Sequence, residues 1–270
     1  MPQTHIGETE HFWYRLAPEG IYVDSQRDNR AFAHTDDEIL LSEDNSHTWP
    51  YRLAFPEARN ITFSCLLGNG SVLFATGADL YLSTDNLRTY DRVTVQGLDG
   101  SDYLPHTPQD PSRPGWYFHT LQGVTSWDVK GTEILVWGNY CNVVGGAAPV
   151  NIYYSTDGGQ TVKLAYAFGQ NPFTRDNGSP GGGPEGTLLG NPDNPVRCRH
   201  LHTVAYNQWE DAFYACTGDG DRDGYFECHW LRGTYDASAD RWDWKVIITF
   251  SGGSPSAETS SRVVSRQRCG

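Results

Sequence analysis

The stretch Ser155-Thr156-Asp157-Gly158-Gly159-Gln160-Thr161-Val162 decides the fold, because the chain repeats its pattern twice more. The other copies run from Ser42 to Trp49 and from Ser83 to Tyr90, and Ser, Asp and Thr hold positions one, three and seven in all three. Asp and Ser side chains bond nearby backbone N–H groups, so each copy predicts a tight turn between two strands. An apolar run precedes each copy, which indicates an array of similar β-units.

The repeat resembles the Asp box, S-x-D-x-G-x-T-W, of sialidase-like β-propellers. Gly159 in the third copy matches the glycine of that motif, whereas Ser46 and Leu87 stand at its position in the other two. The resemblance implies an all-β protein, a β-propeller of four-stranded antiparallel blades. Asp boxes occur on enzymes and non-enzymes alike, so they indicate a fold and leave the function open.

Strand-like runs bounded by Gly, Asp, Asn or Pro recur along the chain, and no segment keeps a helical period for three turns. Their spacing predicts four recognisable blades, near residues 10–50, 60–92, 115–167 and 200–250. We therefore expect one partial propeller domain over residues 1–250, part of a ring of about seven blades. A flexible C-terminal tail is expected over residues 251–270.

Polar ring side chains concentrate in two places. His200, His202, Val204 and Tyr206 share parity, so a regular strand would point them to one face. Upstream, His119 ends an aromatic run, and Asn139-Tyr140 ends an apolar run. In a propeller, strands of different blades end near the central channel, where these two groups can meet.

The pattern H-x-H-x-x-x-Y, then T-G-D, then Arg222 sixteen residues after Tyr206, resembles a group of propeller polysaccharide lyases. The group includes ulvan lyases and a fungal rhamnose–glucuronate lyase, and the resemblance spans roughly residues 35–250. It implies that His119 and Tyr206 act as acid and base and that Arg222 faces the uronate carboxylate. A second histidine of the group is absent, because Asn139 stands at its position with Tyr140 beside it. We expect both to bind substrate together with His200 and His202.

The chemistry of such a lyase requires these residue types. β-Elimination removes the C5 proton of a uronic acid and expels the group on C4, so it needs a base, an acid and a cation on the carboxylate. Arg222 would pair with that carboxylate, and its charge would lower the pKa of Tyr206. A lyase acting on an acidic polysaccharide is the primary prediction. A sialidase-type glycoside hydrolase and a non-catalytic glycan- or protein-binding propeller are the alternatives.

No cofactor is required, but two structural metal sites are candidates. Asp219, Asp221 and Asp223 begin a D-x-D-x-D-G loop of the kind that binds Ca²⁺, although Trp230 occupies the twelfth position, where a glutamate is expected. Thiolate and imidazole ligands for Zn²⁺ are offered by Cys198, Cys216, Cys228 and His229. Disulfides or inert thiols are the alternatives for the cysteines.

Composition limits the partners. The formal net charge of −13 disfavours nucleic acid, and no stretch is long and apolar enough to cross a membrane. The polar segment from Met1 to Glu10 lacks the apolar core of a signal peptide. We expect a monomeric, extracellular protein whose signal peptide is not present in this chain.

Overall fold

The computed structural model describes residues 5–11, 13–77, 79–103, 117–140, 149–169, 190–218 and 228–250. Regular structure in these segments is strand, apart from one 3₁₀ turn at Ala58–Asn60. The predicted all-β class is confirmed. No helix in the described segments is long and apolar enough to cross a membrane. The tail predicted over residues 251–270 lies outside the described residues.

The strands assemble into a hairpin and four successive sheets. The hairpin and the first two sheets contain β1 (His5–Glu8), β2 (Trp13–Leu16), β3 (Tyr22–Arg27), β4 (Arg30–His34), β5 (Glu38–Ser42), β6 (Tyr51–Ala54), β7 (Ile61–Leu66), β8 (Val72–Thr76), β9 (Leu80–Ser83) and β10 (Asp91–Arg92). The third and fourth sheets contain β11 (Val95–Gln96), β12 (Asp102–Tyr103), β13 (Ser126–Val129), β14 (Thr132–Gly138), β15 (Asn151–Ser155), β16 (Val162–Ala167), β17 (His200–Asn207), β18 (Ala212–Gly218), β19 (Cys228–Asp236) and β20 (Arg241–Phe250).

Each sheet is built on a four-stranded antiparallel meander in chain order: β3 to β6, β7 to β10, β13 to β16 and β17 to β20. In the third sheet β11 joins β16 in parallel and β12 pairs with β11. These meanders are the blades of a β-propeller, and they confirm the predicted four-stranded antiparallel blades. The number of blades in a complete ring remains a prediction.

Neighbouring blades pack through apolar faces. Phe32 of the first blade stacks on Phe74 of the second with ring centroids 5.6 Å apart, and Phe63 of the second meets Trp137 of the third at 5.8 Å. Leu201 of the fourth blade packs on Gly138 of the third so tightly that a Cβ there would lie 2.6 Å from the leucine. The core therefore lies between the blades, and it fixes the end of β14 against the start of β17.

The three repeated stretches form one kind of turn, which we call the Ser–Asp–Thr turn, between the third and fourth strands of the first three blades. In the first copy Ser42 Oγ accepts the N–H of Ser46 at 2.9 Å and donates to the Asp44 carboxylate at 2.7 Å. The same carboxylate accepts the backbone N–H and the hydroxyl of Thr48 at 2.9 and 2.6 Å. The copies starting at Ser83 and Ser155 repeat the serine bonds and the bond from the threonine N–H to Asp.

The sequence predicts a strand over Trp116–His119, and this assignment is wrong: Tyr117 and Phe118 form a turn, and Trp116 lies outside the described residues. Several observed strands have no counterpart among the strand-like runs of the sequence. Strand β3 is one of them, because it is mostly exposed and lacks a regular alternation of apolar residues. Two stretches of the sequence, rich in Pro, Asp and Ser over residues 97–114 and in Gly and Pro over residues 169–194, interrupt the rhythm of the predicted strands, and they lie mainly outside the described residues.

Candidate functional site

Four ring side chains lie together where the end of β14 packs against the start of β17. We call them the ring cluster; its members are His119, Tyr140, His200 and His202. Tyr140 stacks on His200 with centroids 4.1 Å apart and an interplanar angle of 25°. His200 stacks on His202 at 5.0 Å and 17°, and His119 lies 5.9 Å from Tyr140. The structure thus places His119, Tyr140, His200 and His202 together.

His119 and Tyr140 are joined twice. The N–H of Tyr140 donates to the His119 carbonyl at 2.7 Å, and Nδ1 of His119 lies 3.0 Å from the Tyr140 carbonyl. A carbonyl only accepts, so Nδ1 carries the proton of this bond and the neutral ring keeps its lone pair on Nε2. The pair therefore fixes both the position and the tautomer of an imidazole that can act as a base.

Asn139 has a different position from the one expected of a substrate ligand. It is fully buried. Its Nδ2 donates to the Pro149 carbonyl at 2.7 Å and its Oδ1 accepts the N–H of Asn151 at 2.7 Å. A substrate carboxylate cannot reach this buried amide, so Asn139 anchors the chain just before Tyr140.

A β-bulge overturns the prediction that His200, His202, Val204 and Tyr206 share one face. The pairing of β17 with β18 shifts between Leu201 and Thr203, which leaves His202 as the extra residue. Leu201 before the bulge and Val204 and Tyr206 after it consequently pack into the same hydrophobic core despite their opposite parity. This single added residue therefore turns Tyr206 away from the face of the strand that carries the two histidines.

Tyr206 lies at the far end of β17, four residues beyond His202, a span of roughly 13 Å. Its hydroxyl donates to Asp211 at 2.9 Å, and its ring packs on Phe213 with centroids 4.9 Å apart. Burial and then the Asp211 carboxylate raise the pKa of the Tyr206 phenol, which is opposite to the direction expected from the sequence. The described neighbours of Tyr206 therefore do not activate it as a base.

A cleft of about 160 Å³ opens beside the ring cluster, between the third and fourth blades. His202 lines it, together with Thr120, Leu121, Gln122, Gly123, Thr125, Trp127, Trp137, Gly138, Leu201, Thr203, Val204 and Ala205. Thr203 Oγ1 donates to Gln122 Oε1 at 2.7 Å, which joins the two walls. Sequence reasoning missed Gln122 and Trp127, because only the blade packing brings the loop after His119 onto β17.

The remaining predicted residues, which are Arg222 and the candidate metal ligands, do not form part of the observed site. Arg222 and the Ca²⁺-loop residues Asp219, Asp221 and Asp223 lie outside the described residues. No group of three or more His, Cys, Asp or Glu side chains within the described segments could hold a metal ion. The Zn²⁺ set is thus corrected: Cys198, Cys216, Cys228 and His229 do not converge.

The His229 ring is bound within the protein instead. Its nitrogens lie 3.1 Å from Thr249 Oγ1 and 3.2 Å from the Arg197 carbonyl, so the ring joins β20 to the segment before β17. No disulfide bond forms among the four cysteines that the structure describes, Cys65, Cys198, Cys216 and Cys228.

Comparison with known proteins gives likeness of architecture only. No protein-family model matches the chain, and no curated protein matches it. Among solved structures, the chain is similar to an ancestral GH74 enzyme at 14% identity and a TM-score of 0.39, over 86% of this chain and 27% of that one. It is also similar to YCF48 bound to D1 peptide at 13% identity and a TM-score of 0.33, over 85% of this chain and 68% of that one.

A third solved structure, Kluyveromyces lactis Hsv2, is 7% identical with a TM-score of 0.28, over 92% of this chain and 93% of that one. The chain thus spans about a quarter of the length of the GH74 enzyme. The class of protein defined by strand order and blade packing is a β-propeller.

Proposed function

We propose that the protein is a polysaccharide lyase that cleaves a uronate-containing polysaccharide by β-elimination, with the ring cluster as its reaction centre. The observation that carries this proposal is the pair of hydrogen bonds between His119 and Tyr140, beside an open cleft. It holds an imidazole, protonated on Nδ1, next to a phenol, and these are the two groups that the proposal assigns as the base and the acid of the elimination.

In the proposed step, His119 Nε2 takes the proton from C5 of the uronate. The electrons of the C5–H bond form the C4–C5 double bond while the C4–O bond breaks. The Tyr140 phenol gives its proton to the departing oxygen, so an unsaturated uronate and a new hydroxyl end result. No water and no cofactor are consumed.

The neighbouring histidines would serve this step in different ways. His202 is half-buried and lines the cleft, so its ring can donate a hydrogen bond to the uronate carboxylate and stabilise the negative charge that develops there. His200 is 2% exposed and stacked on Tyr140, which suits the positioning of that ring. Arg222 remains a proposed partner of the carboxylate on the strength of the resemblance.

The test compares two tyrosine variants. The purified protein is incubated with glucuronate-bearing polysaccharides, and the absorbance of the unsaturated uronate is followed. We expect Tyr140→Phe, which keeps the stacked ring and removes only the acid, to slow product formation by roughly 10²-fold or more. Activity lost in Tyr206→Phe and kept in Tyr140→Phe would reject the ring cluster as the centre.

A second candidate function is a non-catalytic propeller that binds glycans. The lining of the cleft favours it, because no Lys, Arg, Asp or Glu is among the lining residues that the structure describes. Measurable affinity for polysaccharide with no unsaturated product would support this candidate, whereas new reducing ends without unsaturation would indicate a hydrolase. An acidic polysaccharide partner and an extracellular location remain part of the proposal.

A further inference from the structure

We propose that the cleft beside the ring cluster is a subsite for one uncharged sugar residue of the glycan, next to the proposed position of the uronate, with His202 shared by the two positions. The inference rests on the proposed function only in taking a glycan as the ligand, and it does not require elimination to occur. The cleft residues that carry it are Thr120, Gln122, Trp127, Trp137 and Thr203.

The first argument is the chemistry of the lining. Among the described residues, its polar side chains are the hydroxyls of threonines, the amide of Gln122 and the ring of His202, which also belongs to the ring cluster. A uronate in this cleft would lose water from its carboxylate without meeting a Lys or Arg among the described lining residues, which is costly. Neutral hydroxyls exchange hydrogen bonds with water for bonds to hydroxyls and amides at little cost, so the lining selects a neutral sugar.

The second argument is the arrangement of Gln122. Its carbonyl oxygen accepts the hydroxyl of Thr203 at 2.7 Å, so the amide is oriented and its NH₂ group remains to donate to a ligand. Thr203 follows the bulge residue His202 directly. The same irregularity of β17 that turns His202 toward Tyr140 therefore places Thr203 against Gln122.

The third argument is a set of unfilled hydrogen bonds. Thr120 Oγ1, Trp127 Nε1 and Trp137 Nε1 are buried polar atoms of lining residues, and none has a hydrogen-bond partner among the described residues. Buried donors of this kind are rare unless a ligand or ordered water completes them. The partly exposed indole of Trp127 also suits the apolar face of a pyranose, so stacking and hydroxyl bonding would act together, whereas Trp137 is 2% exposed and packs on Phe63 and Tyr153.

The test follows single indole N–H signals of the ¹⁵N-labelled full chain by NMR. Trp127→Phe identifies the cleft signal, and Trp209→Phe identifies a control signal from an indole that is 81% exposed and outside the cleft. The probes are methyl β-glucopyranoside and methyl α-mannopyranoside, with methyl β-glucuronide as the charged counterpart. We expect at least one neutral glycoside to shift the Trp127 signal saturably, with the Trp209 signal unmoved and the glucuronide weaker.

A matched pair of glutamine variants completes the test. Gln122→Ala should weaken neutral-glycoside binding by about 3- to 10-fold, the loss of one hydrogen bond. The exposed Gln208→Ala should leave it unchanged. A glucuronide that binds as tightly as the neutral sugars, or a Trp127 signal that no neutral glycoside moves, overturns the subsite. Because no product is measured, failure of the elimination mechanism would leave this result standing.

Discussion

The His119 ring donates from Nδ1 to the carbonyl of Tyr140, 3.0 Å away, while the N–H of Tyr140 donates to the carbonyl of His119 at 2.7 Å. These reciprocal bonds close the segment that carries β13 and β14. They hold an imidazole and a phenol from opposite ends of that segment at one place. The pair would remain if the proposed reaction were wrong, so its consequences can be tested separately from activity.

The first prediction concerns the tautomer of His119. Because the Tyr140 carbonyl can only accept, the neutral imidazole should carry its proton on Nδ1, which is the less common form in solution. Long-range ¹H–¹⁵N NMR of the histidine rings measures this directly, with His119→Gln used for assignment. Finding the proton of neutral His119 on Nε2 would mean that this bond is absent and would remove the argument for a fixed base.

The second prediction concerns Gly218, against which the His202 ring packs. A Cβ at Gly218 would lie 1.9 Å from His202 Nε2, and one at Gly233 would lie 2.5 Å from Trp244. Gly218→Ala and Gly233→Ala should therefore each destabilise the fold by about 1–3 kcal/mol. Only Gly218→Ala should move the ring-proton signals of His200 and His202. Equal effects of both variants on these signals would show that the stack does not depend on the close approach.

The contrast between the turns and the site shows what the sequence could predict. The Ser–Asp–Thr turns were predictable because all their bonds lie within eight residues, so local chemistry specifies them. The grouping of His200 with His202 was predictable for the same reason, since the two are neighbours on one strand. The predicted position of Tyr206 failed because parity holds only on a regular strand.

The bulge at His202 could not be read from the chain because its causes lie on other strands. The His202 ring needs the bare Cα of Gly218 on β18, and Leu201 needs Gly138 at the end of β14. Neither glycine is near His202 in sequence. The cleft has the same origin, because Gln122 reaches Thr203 only after the third and fourth blades have packed.

The third prediction concerns an ion pair that joins three blades. Arg27 of β3 pairs with Glu133 of β14 and also donates to the carbonyl of Leu66 and to Ser126 Oγ, both at 3.2 Å. Arg27→Ala should lower the free energy of unfolding by about 1–3 kcal/mol, because Glu133 loses a charged donor in a partly buried place. Arg52→Ala breaks an exposed pair with Glu38 inside one blade and should cost less than about 1 kcal/mol. Urea midpoints compare the two variants, and equal losses would contradict a bridging role.

The fourth prediction concerns how the stability of the fold depends on the ionisation of Asp44 at acid pH. Burial works against ionisation of Asp44, but the bonds from Thr48 and Ser42 outweigh it and lower its pKa from 3.8 to about 2. A carboxyl whose pKa is lower in the folded state stabilises the fold above its unfolded pKa and loses that effect as pH falls through its folded pKa. The stability gap between the wild type and Asp44→Asn should therefore be constant above pH 3.8 and narrow toward pH 2. Urea unfolding at a series of pH values measures it, and a gap that does not narrow would rule out the ionised turn as its source.

The last prediction explains why two turns dispense with the motif glycine. Ser46 and Leu87 adopt φ of 64° and 58°, in the left-handed region that favours glycine. This conformation costs a side-chain-bearing residue about 1–2 kcal/mol. Leu87 is 2% exposed and packs in the core between the first two blades, and burial of a leucine contributes about 1.5–3 kcal/mol. Packing therefore outweighs strain at position 87, whereas the small side chain of Ser46 has little apolar surface to bury.

Glycine at the two positions should consequently have different effects. Leu87→Gly should lower the free energy of unfolding by about 1–3 kcal/mol, because it leaves a cavity that relief of strain only partly offsets. Ser46→Gly should change it by less than about 1 kcal/mol, because relief of strain is balanced by the greater freedom of glycine in the unfolded chain. Thermal and urea unfolding of both variants measure the difference. If Leu87→Gly proved as stable as Ser46→Gly, backbone strain would outweigh burial in the energy of this turn. Packing of the Leu87 side chain in the core would then contribute no net stability to the fold.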